Sequence, residues 1–446
     1  MTEPTEAPAA PTFREAFRYW LRLGFISFGG PAGQIAVMHH DLVERRRWIS
    51  ERRFLHALNF CMVLPGPEAQ QLATYIGWLM HRTWGGIVAG VLFVLPSLLI
   101  LVALSWAYLV FGQVPAVAGL LYGVKPAVTA IVVFAAWRIG SRTLRNAWLW
   151  SIAAAAFVAI FVLGLPFPLI VLAAGLAGAL GARLLPDRFA VGGGHGRAPA
   201  SAGPAVIDDA TPPPPHAQFR WRRAVTVGLA FAALWLAGIG GLAAAWGWDG
   251  TLTQMAAFFT KAALLTFGGA YAVLPYVYQG AVEHHQWLTA TQMIDGLALG
   301  ETTPGPLIMV VAFVGFVGGW QAPLFGADSM LASGVLAACV VTFFTFLPSF
   351  VFIFAGAPLV EATHGDLRFT APLTAITAAV VGVIVNLALF FAGHVFWPAG
   401  LGAAVDWPAV AIAAGAMLAL FRFKIGAVPV IVGCALAGLA WHLGLQ

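Results

Sequence analysis

The chain has 446 residues, 60% of them hydrophobic and only 9% charged, with a mean hydropathy of +0.86. Soluble domains carry roughly 25% charged residues, so a water-bathed surface over most of this chain is excluded. A formal charge of +5 would suggest a nucleic-acid partner in a soluble protein; here no nucleic acid is implied, because basic residues beside apolar runs mark cytoplasmic loops.

Residues 1–12 are rich in Pro, Ala and Glu, with no basic stretch leading into an apolar one, which predicts a short disordered tail rather than a cleaved signal. Apolar segments follow near 13–38, 54–80, 84–111, 117–137, 147–164 and 166–185. From 186 to 223 the composition changes to Gly, Ala, Pro and charge, as in a flexible linker between two halves. An extra helix is predicted at 224–247. The pattern then resumes near 253–278, 290–320, 330–357, 370–393, 406–421 and 425–444. The runs 83–124, 146–182, 329–360 and 369–405 contain no Asp, Glu, Lys or Arg. A spanning helix needs about 20 apolar residues, so each run holds one or two spans. The expected fold is an all-α polytopic membrane protein of about thirteen segments, with one repeat at 13–185 and a second at 248–446.

The two halves share a phrase. Ser27-Phe28-Gly29-Gly30 recurs as Thr266-Phe267-Gly268-Gly269, Glu44 as Glu283, Trp48 as Trp287, and Pro65-Gly66-Pro67 as Pro304-Gly305-Pro306, each 239 positions on (304 − 65). Leu95-Pro96-Ser97 recurs as Leu347-Pro348-Ser349 at a spacing of 252 (348 − 96). A single helix between two six-segment halves inverts the second relative to the first. The basic loops agree: 45–53 carries five arginines while 283–292 carries no Lys or Arg, and Arg138, Arg142 and Arg145 face a bare 393–405. This bias places the N-terminus and the 186–223 linker in the cytoplasm and the chain in the inner (plasma) membrane. Three segments separate the basic loops at 45–53 and 138–145, which three full crossings would put on opposite sides. The segment broken by Pro65-Gly66-Pro67 resolves this if it dips in and returns; a full span with a misplaced basic loop is the alternative.

The breaks themselves are the first candidates for chemistry. Each starts a half-helix whose N-terminus carries about half a positive charge, and several meeting at mid-depth make an anion site. Phe28, Gly29, Gly30, Pro65, Gly66, Pro67, Phe267, Gly268, Gly269, Pro304, Gly305 and Pro306 are therefore candidate substrate contacts; close helix packing is the bland alternative. Arg22, Lys125 and Lys261 are cations within the apolar pattern, supplying charge to such a site or snorkelling to the interface. Glu68 and Glu301 are candidate proton carriers, with Glu68 also placed to cap a helix N-terminus. Asn386 is a lone amide, a ligand or interhelical glue. His39-His40 and His284-His285 have no ligand-spaced carboxylate or thiol beside them and read as interface residues, not metal sites. Cys61, Cys339 and Cys434 lie in apolar stretches and imply neither disulfides nor metal binding. No catalytic motif and no cofactor motif is present, so an enzyme has no residues to stand on.

The 28–33 run Phe-Gly-Gly-Pro-Ala-Gly, the Glu44 and Trp48 pair, the Pro-Gly-Pro at 65–67 and their second copies resemble the chromate ion transporter family, of the long-chain two-domain type. The resemblance covers nearly the whole chain. It implies about thirteen membrane segments in oppositely oriented halves, and export of chromate from the cytoplasm, driven by the proton-motive force and conferring resistance. Sulfate or another oxyanion is the second substrate it allows, and an uncoupled anion channel is a further alternative. Protons and the lipid bilayer are the other implied partners, and a homodimer is left open. The halves depart from symmetry where Pro31 becomes Ala270 and Glu68 becomes Leu307, so they are expected to play unequal roles.

Overall fold

The computed structural model describes residues 8–28, 30–184, 204–209, 211–212, 214–267, 269–363, 370–400 and 402–444. These form sixteen α-helices and no β-sheet. The first half comprises α1 (Phe13–Ile26), α2 (Gly30–His39), α3 (Glu51–Val63), α4 (Glu68–Phe111), α5 (Pro115–Thr143), α6 (Ala147–Phe161) and α7 (Phe167–Leu184). A connecting helix, α8 (Trp221–Trp246), leads to α9 (Thr251–Leu264), α10 (Ala270–Tyr278), α11 (Ala290–Thr302), α12 (Val310–Gln321), α13 (Met330–Thr363), α14 (Thr370–Phe396), α15 (Trp407–Phe421) and α16 (Ala427–Gly444). Seven helices, α4, α5, α7, α8, α13, α14 and α16, are long and apolar enough to cross a membrane. The chain is an all-α polytopic membrane protein.

The short helices pair into hairpins, and side-chain contacts fix their direction. Tyr19 of α1 meets Trp48, which follows α2, at 5.3 Å, and the Arg46 guanidinium sits 5.0 Å over both rings. The chain therefore leaves through the break at 27–29 and comes back along itself. Arg53 near the start of α3 and Tyr75 in the first part of α4 both donate to the Glu361 carboxylate. Pro65-Gly66-Pro67 lies between them, so α3 and that part of α4 also fold back on each other. At His81 and Arg82 the backbone leaves helical geometry, Arg82 taking φ 56°, and the straight leg of α4 sets out across the bundle. His81 donates to Pro11 O at 3.0 Å, so α1 starts where the second hairpin ends. This return is the arrangement that the dipping alternative requires. The straight leg of α4 crosses once, α5 crosses back, and 45–53 shares a face with 138–145.

The second half repeats the arrangement from the opposite face. Phe258 of α9 packs against His285 at 5.9 Å and Trp287 at 5.6 Å, which closes the α9–α10 hairpin. A π-helical turn follows α2 at His40–Arg45, and its counterpart follows α10 at Gln279–His284. Contacts between halves are exchanged in pairs. His56 donates to Val360 O at 3.4 Å, while Tyr108, the repeat mate of Val360, donates to Asp295, the mate of His56, at 3.0 Å. Deeper in the bundle a methyl on Gly123 of α5 would strike Cys434 O of α16, and one on Gly178 of α7 would strike Ala371 O of α14. Such exchange is what a two-fold relation between halves produces.

At the second face Asp295 meets Tyr108 at the far end of α4, whereas at the first face Glu361 meets Arg53 and Tyr75. Among the described residues every Lys and Arg in a loop or at a helix end falls on the first face. The exceptions are Lys125, in the interior of α5, and Lys261, in the last turn of α9 where that helix reaches its break. The exterior is apolar: of α8 only Ile239 is buried, and Trp84, Trp221, Trp248 and Trp407 stand exposed at helix ends, as in an interfacial aromatic belt.

Residues 186–223 were expected to be a flexible linker; 186–203, 210 and 213 lie outside the described residues, but the remainder is docked. Ile207 bridges to Ile49, Ser50 N donates to Ile207 O at 2.9 Å, and Ser50 Oγ donates to Asp209 at 2.6 Å. His216 donates to Trp78 O at 2.9 Å, and Ala205, Ile207 and Ala217 are buried. The strap thus lies across the mouths of both first-half hairpins. The N-terminal tail is described only from residue 8, and Thr12 already caps α1.

Candidate functional site

The breaks meet at one junction. Gly66 N donates to Thr266 O at 2.7 Å, and Gly305 N donates to Ser27 O at 2.8 Å. These are the same bond made twice, since Gly305 is the mate of Gly66 and Thr266 of Ser27. Both glycines have positive φ, 121° and 99°, in a region where side chains are strained. There is also no room. A methyl on Gly66 would lie 2.7 Å from Ser349 Oγ, and one on Gly305 would lie 2.8 Å from Ser97 Cβ, so the proline-kinked middles of α4 and α13 complete the junction.

Side-chain caps close some of the helix starts at the faces, though not those of α5, α8 and α9. Thr12, Ser50 and Thr289 cap α1, α3 and α11 with their side chains at the faces. Pro67 before α4, Gly269 before α10 and Pro306 before the 3₁₀ turn into α12 provide no side-chain cap. Together with α2, which begins at Gly30, four helix N-termini open on one locus. Uncapped N-termini present unpaired N–H groups and the positive end of the helix dipole. This is the geometry that holds anions without formal charge.

Of the sequence candidates, Gly30, Pro65, Gly66, Pro67, Gly269, Pro304, Gly305 and Pro306 come together here, with Phe28 and Phe267 in the adjoining turns; Gly29 and Gly268 lie outside the described residues. Glu68 is half-buried in the first turn of α4, and Glu301, in the last turn of α11, receives the Tyr271 hydroxyl. The cations behave differently. Arg22 and Lys261 are exposed, five residues short of their breaks, and form no ion pair among the described residues. Lys125 lies 3.8 Å from the buried Asp295 carboxylate, which already neutralises it. Asn386 is half-buried on α14 and makes no hydrogen bond to the junction among the described residues.

Several polar residues escaped sequence reasoning. Gln34 Nε2 reaches Gly305 O at 2.5 Å and Ser27 O at 3.3 Å, and Gln71 Nε2 reaches Pro65 O at 2.7 Å. Ser97 and Ser349 had been signalled by the Leu-Pro-Ser repeat; the two glutamines carried no signal at all. Asp295 and Glu361, buried acids in apolar helices, were equally missed. No group of three or more metal-binding side chains occurs among the described residues. Contrary to the sequence reading, the first histidine pair does have carboxylates beside it: His39 contacts Glu51 at 2.5 Å and Glu44 at 3.1 Å, and His40 contacts Glu44 at 2.8 Å, whereas His285 stacks on Trp287. The hydrogen bond from His40 holds the exposed Glu44 carboxyl below its usual range.

Hairpins dipping from both faces to a shared, uncapped junction define a polytopic membrane transporter. The chain belongs to the chromate transporter family, whose model matches residues 14–179 and 253–439, once in each half. It is similar to the chromate transport protein of Cupriavidus metallidurans, 31% identical over 96% of this chain and 94% of the relative. It is also similar to the chromate transport protein of Pseudomonas aeruginosa (35% over 85% and 81%) and to the probable chromate transport protein of Synechococcus elongatus (30% over 84% and 83%). No solved structure matches the chain.

Proposed function

We propose that this protein is a secondary active transporter that exports chromate from the cytoplasm, coupled to the proton-motive force, and so confers chromate resistance. The observation that carries the reading is the exchanged pair of hydrogen bonds, Gly66 to Thr266 and Gly305 to Ser27, which gathers four helix N-termini, three of them without a side-chain cap, between the faces. The anion would sit there, against Gly30, Gly269, the two Pro-Gly-Pro elements and, in the stretches not described, Gly29 and Gly268. Glu68 and Glu301 flank that point and are the proposed proton carriers. Arg22 and Lys261 would attract the anion along the hairpins rather than bind it, and Lys125 and Asn386 lie outside this inner set.

Orientation follows from charge. The face bearing the loop arginines is assigned to the cytoplasm of a cell with a single inner membrane barrier, which puts the tail and the 204–220 strap inside. With the interior negative, outward movement of the anion gains roughly 2.3 kcal/mol per 100 mV for each negative charge it carries, about 4.6 when it is fully deprotonated. Uptake would need the same amount supplied by co-transported cations. Chromate and sulfate are near-isosteric tetrahedral dianions, so sulfate is the second substrate to test. The deciding experiment is chromate and sulfate flux in proteoliposomes of known orientation, with and without an imposed pH gradient. Flux that ignores the gradient makes the protein a channel, and no flux of either anion rejects the proposal.

A further inference from the structure

Four buried side chains at the junction are only half satisfied. Gln34 and Gln71 are 1% and 0% exposed. Each directs its amide nitrogen at backbone carbonyls, which only accept, so the amide orientation is fixed and the Oε1 atom is left as an acceptor. Neither Oε1 meets a donor among the described residues. Ser97 and Ser349, repeat mates, are equally buried. Several other buried hydroxyls return their proton to the carbonyl four residues back, as Ser27, Ser105, Thr266 and Thr345 do, though Thr342 and Ser333 of α13 do not. Ser97 Oγ instead has no partner, and Ser349 Oγ only accepts from Gln71 Nε2 at 3.4 Å. Buried polar atoms without partners are destabilising. Of the ten among the described residues, three (Gln34 Oε1, Gln71 Oε1 and Ser97 Oγ) belong to side chains set against the two Pro-Gly-Pro elements, and these mark where a guest completes the bonds.

The chemistry of the guest follows from what is missing. Two hydroxyl protons are free to meet anionic oxygen. Two amide oxygens need a hydrogen, and they repel an anion that carries none. A tetrahedral oxyanion with a single proton satisfies both kinds, accepting from the serines and donating its O–H to a glutamine. We propose that Gln34, Gln71, Ser97 and Ser349 are the specificity-determining residues of the anion site, selecting a monoprotonated tetrahedral oxyanion such as hydrogen chromate over a fully deprotonated one such as sulfate. Hydrogen chromate gives up its proton near neutrality, hydrogen sulfate only in strong acid, so of these two anions chromate alone offers the O–H at cellular pH. Sites built to bond a substrate hydroxyl reject analogues that lack it by large factors. The inference rests on the oxyanion reading above and names the species that enters.

The test is binding of chromate and of sulfate to the purified full-length protein across the neutral pH range. Sulfate keeps one protonation state there and reports titration of the protein alone. Apparent affinity for total chromate falls about tenfold per pH unit above the titration of hydrogen chromate, while sulfate binding stays weak and flat. Gln34→Leu or Gln71→Leu flattens that slope and narrows the chromate-to-sulfate ratio by about tenfold or more, and the variant that does so identifies the amide that accepts the proton. Ser97→Ala and Ser349→Ala weaken both anions by about tenfold. Chromate and sulfate affinities that run parallel with pH overturn the inference in the unaltered protein, whatever the variants do. So does a slope preserved in both glutamine variants. Failure to bind either anion at any pH, with no flux in vesicles, removes the oxyanion reading itself.

Discussion

The residues that could be read from sequence are those whose type dictates backbone. Gly66 and Gly305 stood out because Pro-Gly-Pro cannot continue a helix, and the structure places them at positive φ against neighbouring helices. Gly305→Ala is expected to cost about 1–3 kcal/mol from backbone strain alone, with Ser97 adding to it. Gly400, at φ 100° with nothing within 4 Å, separates the two effects. If Gly305→Ala and Gly400→Ala lower the thermal midpoint of the purified protein equally, close approach at the junction plays no part. Side-chain partners were not readable in the same way, because Gln34 and Gly305 are 271 residues apart and nothing local marks their contact. The same distance hid the ion pairs. Lys125 looked like a free cation until Asp295 appeared beside it, and Glu361 gives no sign in sequence of the Arg53 it holds. Glu361 is 2% exposed at its side chain, so Glu361→Ala leaves a guanidinium unpaired and is expected to destabilise by about 3–5 kcal/mol. Replacing both Arg53 and Glu361 by Met should recover most of that loss. A double variant as unstable as Glu361→Ala would show that the charges are not what matters.

At the scale of elements, the segments at 13–38 and 54–80 were visible as apolar runs with breaks; the parity of the basic loops offered a fold-back of 54–80 as one of two alternatives, whereas nothing signalled that of 13–38. Helices α3 and α11 have 13 residues each, about 20 Å, too short to cross a hydrocarbon core of about 30 Å. Helices this short depend on their caps. Thr289→Ala removes the capping box of α11 and is expected to cost about 1 kcal/mol. Ser50→Ala, at the matching position of α3, should cost more, because Ser50 Oγ also donates to Asp209 and fastens the strap. Hydrogen exchange separates these effects: amides 206 and 207, which donate to Arg47 O and Trp48 O, are expected to be protected in the intact protein and to exchange faster in Ser50→Ala. Fast exchange at both in the unaltered protein would mean that the strap is not docked. Its docking was illegible because composition reports only that 186–223 is poor in apolar residues, and a single bridge through Ile207 needs no pattern.

At the scale of the molecule, the repeat spacing was enough to anticipate two halves, since the same phrases recur at 239 and then 252 positions. It did not say that each half would complete the other. The exchanged contacts do, and together with the confinement of loop cations to one face they make opposite orientation a physical statement that chemistry can check. Arg45 and His284 are repeat mates, both exposed, at the ends of the two π-helical turns. Arg45 lies on the arginine-rich face and His284 on the other, so cysteines placed there should lie on opposite sides of the membrane. In a background with Cys61, Cys339 and Cys434 replaced by Ala, His284→Cys is expected to react with a membrane-impermeant maleimide in intact cells. Arg45→Cys should react only after permeabilisation, because moving five clustered arginines outward would oppose both the positive-inside bias and the potential. Equal reaction of both from outside would mean that the halves share one orientation. The junction would then no longer be approached from two sides, and a carrier that opens alternately to each would lose its structural basis.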